Sequence, residues 1–454
     1  MASESCDRSL PGAIRAGYRW KSKPGSSSDL RILFVTDHYP PEASAPAVRC
    51  STHAKRWIAR GHQVTMLTNF PNYPDGKVFG GYRQSLYKRE TYETVDVLRV
   101  PTLVFPNRGA FLRILDYLSF VVTASLASPF VARPDVVIAT SPHIFAAVAG
   151  WIVSRVHRRP FVFEVRDLWP DSIIAVGAMK EGRLMNLIRR VERFLYRHSD
   201  LIVTVTHTTR DVLASRGIDA GKIVVITNGA DTTKLAPGCA PSSLREKLGV
   251  ENKVVVSYIG TVGMAHGLQL ILDAADECLT RVPEAQFIIV GSGAEREELQ
   301  QQAERRGLRN VLFVGRVSHD ETIDYWHLSD FTLVLLKNTP LFKTVLPSKV
   351  FEALATGTPI ITNVRGELEQ LLEPLGAAEM IEPDSVEALV SAIGELARDP
   401  ARRRLLAANA ATGGKRYERT ALADSMLEAL QRLCPGKPEE SDRPDRGLAQ
   451  DKTG

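Results

Sequence analysis

The feature that most limits the fold of this chain is an alternation of short apolar runs with longer stretches of helical periodicity, which begins at Arg31. Runs that are apolar and β-branched throughout need cover on both faces, and a parallel sheet between two layers of helices supplies it. The predicted strands are Ile32–Thr36, Val64–Thr68, Val136–Thr140, Phe161–Val165, Leu201–Thr206, Ile223–Thr227, Val254–Ile259, Phe287–Val290, Val311–Val314, Thr332–Leu336 and Ile360–Thr362. The predicted helices between them include Ala47–Arg60, Ile144–His157 and Leu184–Arg197.

The alternation is broken in residues 236–243, whose Pro, Gly and Ser content is typical of a linker. With 454 residues available, we predict an α/β protein with two doubly wound, Rossmann-like domains, residues 30–235 and 244–417, facing each other across a cleft. In such sheets, chemistry gathers at the carboxyl ends of the strands. Residues 1–29 lack the apolar stretch of a secretory signal, and we predict that they and residues 435–454 are disordered.

Charge and cysteine usage disfavour several classes of protein. The net charge of +5 comes without a recognisable nucleic-acid-binding motif, so we predict no nucleic-acid partner. The five cysteines are scattered without a Cys-x-x-Cys pair, which argues against a metal cluster or a disulfide framework and favours a reducing cytoplasm. No window of the sequence is long and apolar enough to predict a transmembrane helix.

Two clusters of basic residues and one apolar segment each leave two interpretations open. The clusters are Arg49, Lys55, Arg56 and Arg60 in one helix, and Arg183, Arg189, Arg190, Arg193 and Arg197 in another. Such a cluster is either a solvated helix face or a surface that attracts anionic lipid or a phosphorylated acceptor. The apolar segment Phe111–Val131 is either a buried core helix or an element that dips into the cytoplasmic leaflet. A cytoplasmic location therefore stands beside peripheral association with the inner face of the plasma membrane.

The segment Leu346–Ile360 carries the strongest indication of chemistry in the chain. It predicts a tight turn, a short helix and a break at Gly357 before a buried strand. Backbone N–H groups, the Ser348 hydroxyl and the Lys349 ammonium would meet at a helix N-terminus, where a phosphate is bound by free donors and the helix dipole. Glu352, farther along the helix, could accept hydrogen bonds from ribose hydroxyls. A well-capped helix without a ligand is the alternative.

Charged residues also follow a strand of the first domain. The segment Phe163–Ser172 brings Glu164, Arg166 and Asp167 to the carboxyl end of that strand, where burying them without a role would be costly. Asp167 is the first candidate for a catalytic residue at this edge, and Glu164 is the second. His143 begins the preceding helix at the same edge, although a lone histidine is more often structural.

Two glycine-rich turns are predicted in the second domain. The first, Tyr258–Gly267, lies between a strand and a helix, and its Gly260, Thr261 and Gly263 can present N–H groups and a hydroxyl to a phosphate. The second, around Gly291, follows the next strand and is weak as a motif, because Gly-x-Gly follows many strands. In this context it indicates a loop that borders a nucleotide.

Taken together, these motifs resemble the family 4 retaining glycosyltransferases, which have the GT-B fold. In that family this segment normally carries two glutamates separated by seven residues; Glu352 is the second, and Thr344 occupies the position of the first. The Pro347–Lys349 form, the Tyr-Pro-Pro-Glu turn ending at Glu42 and the Asp-Leu-Trp-Pro-x-Ser element starting at Asp167 are similar to one subgroup. That subgroup resembles bacterial fucosamine and N-acetylhexosamine transferases of capsule, colanic acid and O-antigen synthesis.

The resemblance implies a retaining, metal-independent transfer from a nucleotide sugar, UDP-linked by expectation, to a polyprenyl-linked glycan. In the family the leaving phosphate helps to deprotonate the incoming hydroxyl. The loops Gly61–Thr68 and Pro71–Gly76 would line the acceptor side, where the resemblance also places Glu42, Arg49 and Arg166. Residues 418–434 would form a helix that crosses back to the first domain, as it does in GT-B proteins.

On the donor side the family pattern usually has an Arg after the first Gly of the phosphate loop and a Lys before the last Gly. Those positions are Thr261 and His266 here. Lys349 would then have to neutralise the departing diphosphate, helped by Arg316, Lys337 or Lys343. The predicted donor-binding residues are Gly260, Thr261, Gly263, His266, Gly291, Arg316, Ser348, Lys349 and Glu352.

Three other functions compete with this interpretation. A nucleotide-sugar 2-epimerase shares the two-domain fold, and it would convert a free donor without an acceptor. A catalytically inactive relative that binds nucleotide sugars would explain Thr344, Thr261 and His266, but Glu352 and the Asp-Leu-Trp-Pro patch remain against it. A nicotinamide-dependent dehydrogenase is disfavoured, because no G-x-G-x-x-G follows the first strand.

Overall fold

Two sheets organise the structure, a computed structural model that describes residues 29–73, 76–105, 110–141, 144–175 and 181–434. The first sheet has eight strands in the order β3-β4-β2-β1-β5-β6-β7-β8, and they pair in parallel except for the antiparallel pair β3–β4. Its strands are β1 Arg31–Val35, β2 Gln63–Asn69, β3 Lys88–Tyr92, β4 Val95–Val100, β5 Val136–Thr140, β6 Phe161–Val165, β7 Leu201–Thr204 and β8 Ile223–Val225.

The helices of the first half are α1 Ala45–Ala59, α2 Ala110–Ala127, α3 Ile144–His157, α4 Asp171–Ala175, α5 Arg183–His198 and α6 His207–Ser215. They cover both faces of the sheet, as the apolar strands require. In β1, Leu33 and Val35 belong to the core that includes residues of α2, α3 and α5, whereas Ile32 and Phe34 belong to the core that includes α1. All four side chains are buried.

The second sheet has six strands, paired in parallel in the order β11-β10-β9-β12-β13-β14. These strands are β9 Val254–Ile259, β10 Ala285–Val290, β11 Val311–Gly315, β12 Phe331–Val334, β13 Ile360–Thr362 and β14 Ala378–Met380. The helices of this half are α7 Ser242–Leu248, α8 Gln269–Arg281, α9 Arg296–Arg305, α10 His319–Leu328, α11 Lys349–Thr356, α12 Glu367–Leu372, α13 Val386–Arg398, α14 Pro400–Gly414 and α15 Arg419–Leu433.

The last helix, α15, packs on α1 of the first half. Met426 and Leu427 share a core with Trp57, whose indole Nε1 donates to the Ala423 carbonyl at 2.8 Å. Asp424 accepts from the guanidinium groups of Arg56 and Arg60. The chain therefore returns to its first sheet after completing the second.

The two Rossmann-like domains of the GT-B architecture are confirmed. The predicted domain boundaries stay predictions, since residues 29–434 form one compact unit. Three strands were missed: β3, whose residues alternate between half-buried and exposed, its neighbour β4, and the short, half-buried β14. Among the helices of the described residues, none is both long enough and apolar enough to cross a bilayer.

Candidate active site

Two glycine turns of the second domain pack against each other at the carboxyl ends of β9 and β10. Gly291 has a φ of +134°, and a Cβ added to it would stand 1.9 Å from the Gly260 carbonyl oxygen. A Cβ at Gly293 would stand 2.1 Å from the Val262 carbonyl oxygen. The Gly291–Gly293 turn is therefore explained by close backbone packing, which fixes the position of the Gly260 loop.

The Gly260 loop leaves backbone donors free within the part of the chain that the structure describes. The Val262 N–H donates to the Ser292 carbonyl, and the Tyr258 hydroxyl donates to the Thr261 carbonyl at 2.6 Å. The N–H groups of Thr261 and Gly263 make no hydrogen bond to the described residues. This is the arrangement that binds a phosphate between a strand and a helix.

Lys349, the first residue of α11, lies directly beneath that loop. Its ammonium nitrogen lies 3.8 Å from the centroid of the Tyr258 ring, and a Cβ on Gly260 would stand 3.2 Å from the same nitrogen. The side chain is buried, and the nitrogen has no hydrogen-bond partner among the described residues. Burial lowers the pKa of Lys349 to about 7, against a smaller opposing effect of the Glu352 carboxylate.

Glu352 and Ser348 flank Lys349 on the same short helix, and both are half-buried. The predicted turn, helix and break are confirmed, because α11 ends at Gly357 in a left-handed conformation before β13. The Ser348 hydroxyl makes no capping hydrogen bond to α11, so it is free of that structural role. Arg419 of α15 lies within electrostatic reach of Glu352 and donates two hydrogen bonds to the Gly229 carbonyl.

His266 is a neutral part of the loop. Its Nδ1 is buried without a hydrogen-bond partner in the described residues, and its ring meets Tyr258 edge-on at 6.0 Å. Burial, together with the nearby Lys349 charge, lowers the pKa of His266 to about 3. His266 therefore cannot replace the positive charge that the family pattern has at this position.

Arg316 directly follows β11 and is exposed. Its charge lowers the pKa of Tyr73 in the first domain, although burial, the largest influence, raises that pKa overall. Arg316 and Tyr73 therefore lie within electrostatic reach of each other across the cleft. The role of Arg316 beside a bound anion stays a prediction.

On the acceptor side, Arg49 and Glu164 form a fully buried ion pair. The Arg49 Nε donates to Glu164 at 2.9 Å, and the same guanidinium donates to the carbonyls of Ile226 and Thr227. Burial would raise the pKa of Glu164, but the positive charges around it, Arg49 first, outweigh burial and lower the pKa to about 2. With no exposed surface, Glu164 holds α1, β6 and the end of β8 together and does not face the cleft.

A second charged cluster follows β1 and joins Glu42, which was predicted on the acceptor side, to His38 and Asp37, which were not predicted. His38 is placed between two carboxylates, with Nε2 at 3.3 Å from Asp37 and Nδ1 at 2.8 Å from Glu42. Burial opposes protonation of His38, but these carboxylates raise its pKa to about 9. Glu42 also accepts the N–H groups of Asn72 and Tyr73, so it fixes the loop that carries Tyr73. The sequence pattern that could have predicted this cluster is a histidine with acidic residues one position before it and four positions after it.

Arg166 and Asp167 lie at the carboxyl end of β6, as predicted, and both are half-buried. The Arg166 N–H donates to the Ser141 hydroxyl at 2.8 Å, and its Nη1 has no hydrogen-bond partner in the described residues. Burial raises the pKa of Asp167, against the opposing charge of Arg166. His143 lies outside the described residues.

Glu367 joins the two domains beside the cleft. Its carboxylate accepts the N–H groups of His207 and Thr208, each at 2.8 Å, and the Thr208 hydroxyl. A carboxylate at the first turn of α6 is favoured by the free N–H groups and the helix dipole. This contact fixes the second domain to the start of α6 in the first.

Within the described residues, no group of three His, Cys, Asp or Glu side chains is arranged to hold a metal ion. The charges at the cleft are instead distributed between two kinds of site. Paired groups, such as Arg49 with Glu164, belong to the framework. Lys349 and the Gly260 loop present free donors.

Comparison with known proteins identifies the two halves of the chain. Residues 44–229 match the family model described as glycosyl transferase 4-like domain, and residues 242–412 match the model described as glycosyl transferases group 1. WcaI of Escherichia coli (strain K12), named as a colanic acid biosynthesis glycosyl transferase, is 28% identical over 377 residues. That alignment covers 80% of this chain and 91% of WcaI.

Solved structures share the fold at low sequence identity. Sucrose-phosphate synthase from Thermosynechococcus elongatus superposes with a TM-score of 0.70 at 19% identity, covering 89% of this chain and 99% of that one. Anabaena HepE in complex with UDP and glucose superposes with a TM-score of 0.67 at 20% identity, covering 89% of this chain and all of the other.

Proposed function

The chain is a glycosyltransferase of the group 1 type, in which a glycosyl transferase 4-like domain precedes a group 1 domain, and from this premise we propose that it transfers a sugar from a nucleotide-sugar donor with retention of configuration. The donor is proposed to be UDP-linked and of the N-acetylhexosamine type. The acceptor is proposed to be a polyprenyl-linked glycan used in cell-surface polysaccharide synthesis. The similarity to WcaI, whose name refers to colanic acid biosynthesis, supports that role.

One observation carries the proposal: Lys349 is a buried cation without an acceptor beneath a loop with free N–H groups. A buried ammonium is costly unless an anion pairs with it. A diphosphate between the Gly260 loop and α11 would supply that anion, and Glu352 would accept from the ribose hydroxyls. HepE, which shares the fold, was solved in complex with UDP, and this supports a nucleotide as the ligand.

The proposed reaction breaks the bond between the anomeric carbon and the diphosphate oxygen and forms a bond from that carbon to the acceptor oxygen on the same face. The acceptor hydroxyl gives its proton to the leaving phosphate. Lys349 and Arg316 would stabilise the charge that develops on the diphosphate. Asp167, at the carboxyl end of β6, would orient the incoming hydroxyl.

The acceptor-side predictions divide into two proposed roles. Glu42, Arg49 and Glu164 are buried and hydrogen-bonded to the framework, so we propose that they position the loops. Arg166 and Asp167 are half-buried at the strand end, so we propose that they contact the acceptor. No metal is needed in this scheme, because two cations of the chain neutralise the diphosphate.

The test is a panel of nucleotide sugars, scored first by binding and then by product formation with a polyprenyl-linked glycan. Glu352→Ala should weaken donor binding, and Asp167→Ala should lower turnover with donor binding retained. Unaltered kinetics in both variants would contradict the assignment of Glu352 and Asp167 to the site. Epimerised free donor in the absence of an acceptor would instead identify a 2-epimerase, and binding without any product would identify an inactive relative.

A further inference from the structure

Three neighbouring helices of the first domain present an apolar surface with a basic margin. Helices α2, α3 and α5 contribute to one core on the same face of the first sheet. Ring contacts join α2 to α3 through Tyr117 and Phe145, and α3 to α5 through Trp151 and Phe194. The three helices therefore form one continuous layer, called here the α2–α3–α5 face.

The outer side of this layer is apolar where a helix on a soluble surface would normally be polar. On α2 and just beyond it, exposed side chains recur at helical spacing: Leu118, Val122, Leu126 and Phe130. On α5, Leu184, Leu187 and Phe194 are exposed in the same way. Between them, Val148, Trp151 and Ile152 of α3 are half-buried. A connected patch of this kind indicates an interaction surface.

The exposed charged residues of α5 and at the end of α3 are all basic. Exposed arginines on α5 are Arg183, Arg190, Arg193 and Arg197, and α3 adds Arg155 and Arg158 near its end. None of the four on α5 pairs with a carboxylate among the described residues. The acids on these three helices are Asp116 and Glu192, and Glu192 is buried against the Tyr196 hydroxyl.

The other basic cluster of the sequence is different, because its members are already used inside the protein. Arg49 is buried against Glu164, and Arg56 and Arg60 pair with Asp424. Lys55 pairs with Glu93. The structure thus separates two clusters that looked equivalent in sequence. On α5, Arg189 pairs with Asp171 and Glu181, and the other four arginines are available to an external anionic surface.

We propose that the α2–α3–α5 face docks the protein on an anionic lipid bilayer. Exposed leucines and a phenylalanine would enter the boundary between headgroups and acyl chains, and the arginines would contact the headgroup phosphates. The face extends towards the cleft, since the Tyr117 hydroxyl on α2 lies within electrostatic reach of Asp37 at the end of β1. A lipid-linked acceptor would therefore reach the acceptor side along α2.

The proposal goes beyond the proposed function, and co-sedimentation of the full chain with lipid vesicles tests it. Vesicles that contain phosphatidylglycerol should bind the protein, phosphatidylcholine vesicles should bind it much less, and high salt should release it. Arg190→Gln combined with Arg193→Gln should weaken binding by about 25-fold, about five-fold for each arginine. The matched control is Arg305→Gln with Arg309→Gln, which removes two exposed arginines from the second domain and should change nothing.

The apolar half of the face is tested by Leu126→Ser combined with Leu187→Ser, which should also weaken vesicle binding at least tenfold. Leu405→Ser is its control, since Leu405 is 53% exposed on α14, against 55% for Leu187. The proposal is overturned if the wild type does not sediment with anionic vesicles, or if both paired variants bind like the controls. A dimer in solution that these variants dissociate would also overturn it, by identifying the face as a contact with a second copy. All variants should bind UDP with the wild-type affinity. Vesicle binding therefore tests the α2–α3–α5 face, and UDP binding tests the proposed function separately.

Discussion

On the acceptor side of the cleft, the Arg49 guanidinium donates to Glu164 Oε1 and to two backbone carbonyls, whereas on the donor side Lys349 is buried beside a glycine and an aromatic ring without an acceptor. Glu164 Oε2 has no hydrogen-bond partner among the described residues, but its carboxylate is paired with a charge. Both sites bury charge, yet only the acceptor side pairs its buried charges in an ion pair within the described residues. Burying a charge is tolerated when a partner compensates it and is costly otherwise. This difference indicates that the acceptor-side pair belongs to the structural framework, whereas the donor side is arranged to bind an anionic ligand.

The largest expected effect comes from breaking the completed pair. Glu164→Ala leaves the Arg49 guanidinium buried without its carboxylate, so the free energy of unfolding should fall by about 3–5 kcal/mol in a denaturant titration. The control is Glu277→Ala, which breaks an exposed pair with Arg281 and should cost less than about 1 kcal/mol. Equal losses in the two variants would mean that the buried pair has no special structural role.

The second prediction is an effect of opposite sign. Lys349→Met removes a buried ammonium without a partner, so the free energy of unfolding of the ligand-free protein should rise by about 1–3 kcal/mol. The exposed Lys343 provides the control, and Lys343→Met should stay within about 0.5 kcal/mol of the wild type. A loss of stability in Lys349→Met would show that the ammonium has a partner in solution.

The third prediction concerns pH. The pKa of Lys349 is about 7 in the folded protein and 10.5 as the ordinary value, so between these values the unfolded chain binds more protons. The free energy of unfolding should therefore rise with pH above 7 more steeply in the wild type than in Lys349→Met, by up to about 1.4 kcal/mol per pH unit. Parallel pH profiles of the two proteins would contradict the lowered pKa.

The fourth and smallest effect separates two parts of the donor side. Glu352→Ala should weaken the binding of UDP and of uridine by about fivefold, because one hydrogen-bonding carboxylate is lost. Binding of pyrophosphate should be unchanged, since the diphosphate is assigned to Lys349 and the Gly260 loop. Calorimetric titrations with the three ligands check this. An equal loss of pyrophosphate affinity would contradict the assignment of Glu352 to the ribose.

Much of the fold was predictable because fully buried parallel strands are apolar along their length. β5, β6, β9 and β13 begin and end where the sequence placed them. The strand β3 was not predictable in this way, since Lys88–Tyr92 forms an edge strand whose residues are half-buried or exposed. Edge strands carry polar side chains, which gives them the composition of a loop.

The candidate site was only partly predictable. The helix that starts at Lys349 and the loop at Gly260 were visible as local motifs, so their residue types and positions followed from sequence. Burial of Lys349 under that loop depends on packing between segments about 90 residues apart, and the pairing of Arg49 with Glu164 joins residues 115 positions apart. The sequence therefore predicts Glu164 at the carboxyl end of its strand, and only the fold shows that its carboxylate is enclosed.

The most direct test of the account is a calorimetric titration of UDP into the wild type and Lys349→Met at pH 7, with Lys247→Met, at an exposed lysine of α7, as the control. If the Lys349 ammonium binds the diphosphate, Lys349→Met should bind UDP about 10- to 100-fold more weakly than the wild type does. This is the range expected for one charge-assisted contact to a phosphate. The Lys247→Met control should bind like the wild type. Equal UDP affinity in the wild type and in Lys349→Met would contradict the account.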